Sequence, residues 1–199
     1  MLEFSLSEYL TDATLSRVTW IPQICKAFFT EVSVTFHGKY YHIEGLDAFP
    51  RTTQKPHLPI MIGGRQQRML ALAARQADIV SISMLDPRGP GLPQPPTYAE
   101  KVRWVRAAAG SRYSDIELHV NASYIEVTEH RQAALKQLAA RLQMAPEEMR
   151  QSPTLLVGSV DAIVEQLYAW REQCDVSYFI VSSRLMDVLA PIIARVAGT

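Results

Sequence analysis

LPIMIGGRQQRMLALAARQADIVSIS, residues Leu58–Ser83, holds a whole strand–helix–strand unit in one short stretch. Leu58–Gly63 is an apolar run that ends in Gly-Gly, which predicts a buried strand with a tight exit. Arg65–Ala77 follows at helical spacing, with Met69, Leu72 and Ala73 on one face. Met69, Leu70 and Leu72 are expected to pack in a core. Asp78–Ser83 (DIVSIS) then predicts a second short strand. Two strands joined through a helix are connected by a crossover, and a crossover places them parallel in one sheet.

The same rhythm extends downstream. Asp86–Pro96 is rich in proline and glycine and is expected to be a loop. Tyr98–Ala109 predicts a helix whose Tyr98, Val102, Val105 and Ala109 share a face. Ile116–Val127 alternates and is rich in β-branched residues, so it is read as one long strand. His130–Gln143 is helical, with Ala134, Leu138 and Leu142 in register. Ser159 is placed to cap a helix over Val160–Gln173, with Asp161 in its first turn. Ser177–Ser182 (SYFIVS) is a fourth strand. Leu185–Val196 is a last helix, in which Pro191 requires an early position or a kink. Upstream, Trp20–Phe29 predicts a helix and Val34–Ile43 a hairpin broken at His37-Gly38, after an irregular lead-in.

Four strands with intervening helices fit an α/β fold, part of a (β/α)8 barrel, preceded by a short helix and hairpin. A doubly wound sheet competes with it. Against that alternative, Gly63-Gly64 is followed by Arg65, Gln66 and Gln67, so no GxGxxG phosphate loop forms.

Composition narrows the function classes. Twenty basic residues balance twenty acidic ones, so no electrostatic footprint marks a nucleic acid or an anionic membrane as partner. No apolar run is long enough to span a bilayer. The first residues, MLEFSLSEYLTDATLSR, lack a basic n-region and are not expected to be a secretory signal. Cys25 and Cys174 form no CxxC and are expected to be buried thiols in a reducing cytoplasm. His37, His42, His57, His119 and His130 show no metal-ligand spacing, so no metal site is expected.

Several motifs, in order, carry a family resemblance. FHGKYYHIEGL (residues 36–46) is followed by PRTTQKPHLPIMIGGRQQRMLALAARQADIVSIS (residues 50–83). The C-terminal LLVGSVDAIVEQLYAWREQCDVSYFIVSSRLMDVLAPIIARV (residues 155–196) adds a Val-Gly-Ser helix start and a final Ala-Pro helix. Together they resemble the bacterial luciferase-like oxidoreductases over about Trp20 to Val196, in the F420-dependent rather than the FMN-dependent subgroup. The resemblance implies strands five to eight of a (β/α)8 barrel. Residues 58–199 are thus expected to form a half barrel in a single domain over 1–199, with residues 1–17 a divergent lead-in. It also implies that strands one to four, which carry most of the family's catalytic residues, are not in this chain. The implied activity is hydride transfer or oxygen activation on a small organic substrate, with F420 as cofactor and FMN as the alternative.

The candidate site residues each have two readings. Gly63 and Gly64 permit positive φ and close backbone approach, and the helix from Arg65 presents free N–H groups that suit a phosphate. In the resembled family this Gly-Gly contacts the cofactor phosphate, and Arg65 adds charge; the competing reading is a bare βα turn. Ser81 and Ser83 end a strand, where hydroxyls can donate to the same phosphate or merely satisfy a backbone group. Arg184 follows the last strand, where it would meet a substrate anion or simply be a surface arginine. His119 is read as a packed histidine in preference to a base, and Tyr40 and Tyr41 as packing residues. No Ser/His/Asp set, carboxylate pair or P-loop is present, and no catalytic residue is assigned. A non-catalytic alternative stands beside the enzyme: a half-barrel scaffold or subunit whose open sheet is completed as a homodimer or by a separate N-terminal half.

Overall fold

A computed structural model describes residues 12–84, 96–142, 149 and 152–197. The expected loop Asp86–Pro96 falls almost wholly outside them. The chain divides into two units, Met1–Ile60 with Gln76–Asp78, and Met61–Arg75 with Ile79–Thr199.

The first unit is a helix and a hairpin. Helix α1 spans Asp12–Thr30. It begins earlier than the expected Trp20. Strands β1 (Ser33–His37) and β2 (His42–Asp47) pair antiparallel, as the two β-rich runs around His37-Gly38 predict. Gly38 is required there, because a Cβ would lie 2.7 Å from the Phe36 ring. Trp20 of α1 meets Phe36 edge-on at 5.6 Å, which docks the helix on the hairpin. Lys26 Nζ donates to the Gln76 carbonyl at 2.9 Å.

The second unit carries the sheet. Strands β3 (Met61–Gly64), β4 (Ile79–Ile82), β5 (Glu117–Asn121) and β8 (Val176–Ile180) pair parallel in the order β3-β4-β5-β8. The order follows the sequence without the reversal that a doubly wound sheet requires. Among the described residues the sheet is open, with β3 and β8 as its edges.

The crossover helices have legible ends. Helix α2 spans Gln67–Gln76 and buries Leu70, Ala73 and Ala74. Helix α3 (Tyr98–Ala109) starts in a capping box, in which Thr97 accepts from the Glu100 N–H and Glu100 accepts from the Thr97 N–H. The bond from the Thr97 N–H, then one from the Thr97 hydroxyl to the same carboxylate, hold the Glu100 carboxyl below its usual range. Helix α4 is Arg131–Leu142. Helix α5 (Val160–Cys174) is capped by Ser159, as expected, and ends at Asp175 in the left-handed region, φ 56°. Asp175 accepts from Arg106 Nη2 at 2.6 Å and from the Tyr113 hydroxyl at 2.7 Å. Helix α6 (Met186–Val196) runs through Pro191 after a 3₁₀ turn at Ser183–Leu185.

One expected strand is corrected. Ile116–Val127 is not a single strand but β5 and then β6 (Tyr124–Val127). The segment changes partner at Ala122-Ser123. Ala122 N–H donates to Ile180 O on the β8 side, whereas Ser123 and Tyr124 N–H both turn to Thr154 O. Strand β6 then pairs parallel with β7, Leu155–Gly158. Strand β7 is buried throughout and was not anticipated as a strand; its LLVG run does not alternate. This second sheet nucleates its own core of Ile125, Leu156, Ile163, Leu189 and Ile192.

Candidate functional site

The two faces of the four-stranded sheet differ sharply. Successive residues of a strand point to opposite faces, and register partners share a face. One face carries Ile62, Val80, Ile82, Leu118 and Val120, all buried. The other carries Met61, Ile79, Ser81, His119, Asn121, Tyr178 and Ile180, and on it Met61 (39%), Tyr178 (36%) and Ile180 (39%) are exposed. A parallel strand is ordinarily covered on both sides, so this partly bared face is where a ligand or further structure has room.

Across that face the register aligns Gly63, Ser81, His119 and Tyr178 in one row. His119 Nδ1 lies 2.8 Å from Ser81 Oγ. The imidazole meets the Tyr178 ring edge-on at 5.2 Å. His119 is 4% exposed, and burial lowers its pKa from the usual histidine value, which keeps it neutral at pH 7. Its Nε2 is buried and has no hydrogen-bond partner among the described residues. Sequence reasoning treated His119 as a satisfied packed histidine, and half of that holds: one ring nitrogen is bonded, the other is not. The signal was present, since Leu118 and Val120 flank it and force it onto the opposite face.

The two glycines play different parts. Neither adopts positive φ; the left-handed glycines among the described residues are Gly45, Gly110 and Gly158. A Cβ on Gly64 would lie 2.9 Å from Met69 Cγ and 3.3 Å from Leu70 Cδ2, so Gly64 is required by the packing of α2 on β3. A Cβ on Gly63 would approach nothing nearer than 3.7 Å, where it meets Ser81 Cβ. Gly63 therefore leaves open space beside the Ser81 hydroxyl.

Because the sheet is parallel, its strands end at one rim. Gly64 closes β3 there, and Arg65 leads into α2. Ser83 follows β4; its N–H donates to Gly64 O at 2.9 Å, and its carbonyl accepts from Lys101 Nζ at 2.6 Å. Arg184 sits in the turn after β8 at the same rim and is exposed. Its N–H donates to Ser182 Oγ at 3.4 Å, and among the described residues no hydrogen bond or ion pair joins its guanidinium to the other candidates. The structure thus brings Gly63 to Ser81 and Gly64 to Ser83, and places Arg184 on the rim with no hydrogen bond or ion pair to either pair among the described residues. Lys101, 1% exposed, was missed. It lies on the same stripe of α3 as Tyr98, Val102 and Val105, a position where lysine is rare unless paired.

Cys174 is buried, and that burial raises its thiol pKa; Cys25 is only half-buried, short of the expectation. Among the described residues no group of His, Cys, Asp and Glu is placed to hold a metal. Among them, too, no helix is long and apolar enough to cross a membrane.

An α/β sheet in sequential parallel order, helix-covered on one face and polar-rowed on the other, defines the class of protein. The sequence model of the luciferase-like monooxygenases matches residues 12–153, and the chain belongs to that family. Solved structures share the fold. An F420-dependent secondary alcohol dehydrogenase, in complex with an F420–acetone adduct, superposes with TM-score 0.67 at 11% identity, over 94% of this chain and 63% of that one. A coenzyme F420-dependent tetrahydromethanopterin reductase from Methanopyrus kandleri gives 0.65 at 12% identity, over 92% and 62%. A monooxygenase from Streptomyces bottropensis gives 0.63 at 17% identity, over 96% and 66%. The chain spans less than two thirds of the length of each of these three structures. No curated protein sequence matches it.

Proposed function

We propose that this chain is the phosphate-anchoring part of a flavin-type oxidoreductase, with F420 as its cofactor and FMN as the alternative. In this reading β3, β4, β5 and β8 are strands five to eight of a (β/α)8 barrel, and the bared face is the barrel interior. The observation that carries it is the row Gly63–Ser81–His119 on that face, beside the β3–α2 turn. Gly63 leaves room at the Ser81 hydroxyl, and the positive end of the α2 dipole follows the β3–α2 turn. A phosphate group fits such a place. Gly63, Gly64, Ser81 and Ser83 would hold it, Arg65 would add charge, and Arg184 on the rim would meet a substrate anion.

Bound there, the cofactor supplies hydride transfer or oxygen activation on a small organic substrate, while the protein orients and retains it. The chain's own residues bind and position; none in the row is assigned as acid or base. The test is calorimetric titration of the purified chain, at known solution mass, with F420 and with FMN. Micromolar or tighter binding of one, weakened in Ser81→Ala, supports the reading; no binding of either overturns it.

A second reading rests on a separate observation. Edge strands β3 and β8 flank a face that exposes Met61, Tyr178 and Ile180. An open sheet of this kind favours completion by another copy or by a separate chain carrying four further strands. Light scattering showing a stable dimer without cofactor supports this scaffold reading; a monomer that binds cofactor contradicts it.

A further inference from the structure

His119 has two ring nitrogens with opposite fates. Nδ1 shares a 2.8 Å hydrogen bond with Ser81 Oγ, and Nε2 is buried with no partner among the described residues. A neutral imidazole carries one N–H, and the bond it makes on one side fixes the tautomer on the other. If Ser81 donated to Nδ1, the proton would sit on Nε2, and a buried N–H would have no acceptor. Orphaned buried N–H groups are rare, because the desolvation cost of a donor is met in full. The other tautomer places the proton on Nδ1 and leaves only an unshared lone pair on Nε2.

In that arrangement Ser81 Oγ accepts from His119, and its own proton is directed elsewhere. The place next to the hydroxyl is kept clear by Gly63, whose absent Cβ would lie 3.8 Å from Ser81 Oγ. Among the described residues no hydrogen bond takes that proton. We propose that His119 is a positioning residue: its Nδ1–H holds the Ser81 hydroxyl as a donor toward the space beside Gly63, selecting an anionic acceptor such as a phosphate oxygen. This rests on the phosphate-anchoring reading and adds to it the group that sets the polarity of the site. An uncharged acceptor would gain one neutral hydrogen bond, whereas a phosphate gains a charge-assisted one of about twice the strength.

Two experiments test it together. In the first, long-range ¹H–¹⁵N correlation spectra of the uniformly labelled free chain report the His119 tautomer. The expected pattern is Nδ1–H; an Nε2–H pattern overturns the proposal whatever the chain binds. In the second, FMN and F420 are titrated into the wild type, Ser81→Ala, His119→Phe and His119→Asn. Asn places its amide N–H near the position of Nδ1 and keeps the donor; Phe keeps the ring and loses it. Ser81→Ala and His119→Phe are each expected to weaken binding roughly tenfold, about 1.4 kcal/mol. Their double variant is expected to lose no more than either alone, and His119→Asn to recover most of the affinity. Matching circular dichroism spectra establish that each variant is folded. Binding by the wild type that is unchanged in both single variants overturns the role of His119 and leaves the cofactor reading standing. No binding by the wild type overturns both.

Discussion

The adjacent glycines make a prediction that separates packing from ligand binding. Both are changed to alanine, one methyl each, at neighbouring positions of β3. At Gly64 the new Cβ meets Met69 Cγ at 2.9 Å, Met69 Cβ at 3.2 Å and Leu70 Cδ2 at 3.3 Å. Met69 Cγ can swing away, but Met69 Cβ is fixed by the helix backbone and Leu70 is fully buried. Overpacking of this kind costs about 1–3 kcal/mol, which lowers Tm by roughly 2–4 °C per kcal/mol in a domain of this size. At Gly63 the nearest atom stands at 3.7 Å, an ordinary contact. There alanine removes the entropic penalty of glycine in a strand and stabilises by roughly 0.5–1 kcal/mol. Urea unfolding followed by circular dichroism measures both. The functional effect runs the other way: Gly63→Ala fills the space beside Ser81 and is expected to weaken cofactor binding in a fully folded protein. A Gly63→Ala variant less stable than Gly64→Ala, or one that binds F420 and FMN as tightly as the wild type, refutes the reasoning.

Other expectations follow from single sites. Ser159→Ala removes the side-chain cap of α5 and is expected to cost about 1 kcal/mol in urea unfolding. Asp175→Ala loses the bonds from Arg106 and Tyr113 and leaves a Cβ residue in the left-handed region; Asp175→Gly is expected to be more stable than Asp175→Ala by about 1 kcal/mol. Burial, then the bond to Asp175, push the Tyr113 phenol up to about 12 from its usual 10.0. Between these values the unfolded chain binds fewer protons than the folded one, so stability falls as pH rises from 10 to 12. Ultraviolet titration of Tyr113→Phe against the wild type checks the assignment. For His119 the sign is opposite. Burial lowers its pKa, so the unfolded state binds more protons below the unfolded histidine value near 6.5. Stability is therefore lost as pH falls from there toward the folded pKa, and His119→Phe is expected to flatten that slope.

Much of this fold is legible from local rules. The strand–helix–strand order of Leu58–Ser83, the hairpin at His37-Gly38 and the capped helix after Ser159 each rest on a period, a turn or a cap that acts over a few residues. The burial expected along Leu58–Gly63 is corrected: the strand is Met61–Gly64, and Leu58 and Met61 are exposed. The misses are non-local. Nothing within Ile116–Val127 announces that its first half serves β8 and its second half β7, because the change of partner is set by Thr154 and Ile180, far along the chain. Strand β7 is short and buried throughout, so it lacks the alternation that marks a half-exposed strand. At the site, Gly63, Gly64, Ser81 and Ser83 were picked out by position at strand ends. The Ser81–His119 bond was not, since register between β4 and β5 decides it. The glycines are expected for positive φ and for close backbone approach; neither adopts positive φ, and the structure uses their missing Cβ for space. Lys101 occupied an apolar helical stripe, a discord that periodicity alone could have flagged.

Under the proposed function a cofactor phosphate is held at the C-terminal ends of β3 and β4. Backbone amide shift mapping of the ¹⁵N-labelled chain, titrated with F420 and with FMN, tests it directly. Saturable shifts concentrated at Gly63, Gly64, Arg65 and Ser81 with one of the two cofactors are expected. Shifts confined to the β1–β2 hairpin or to α4, or no shifts with either cofactor, would contradict it.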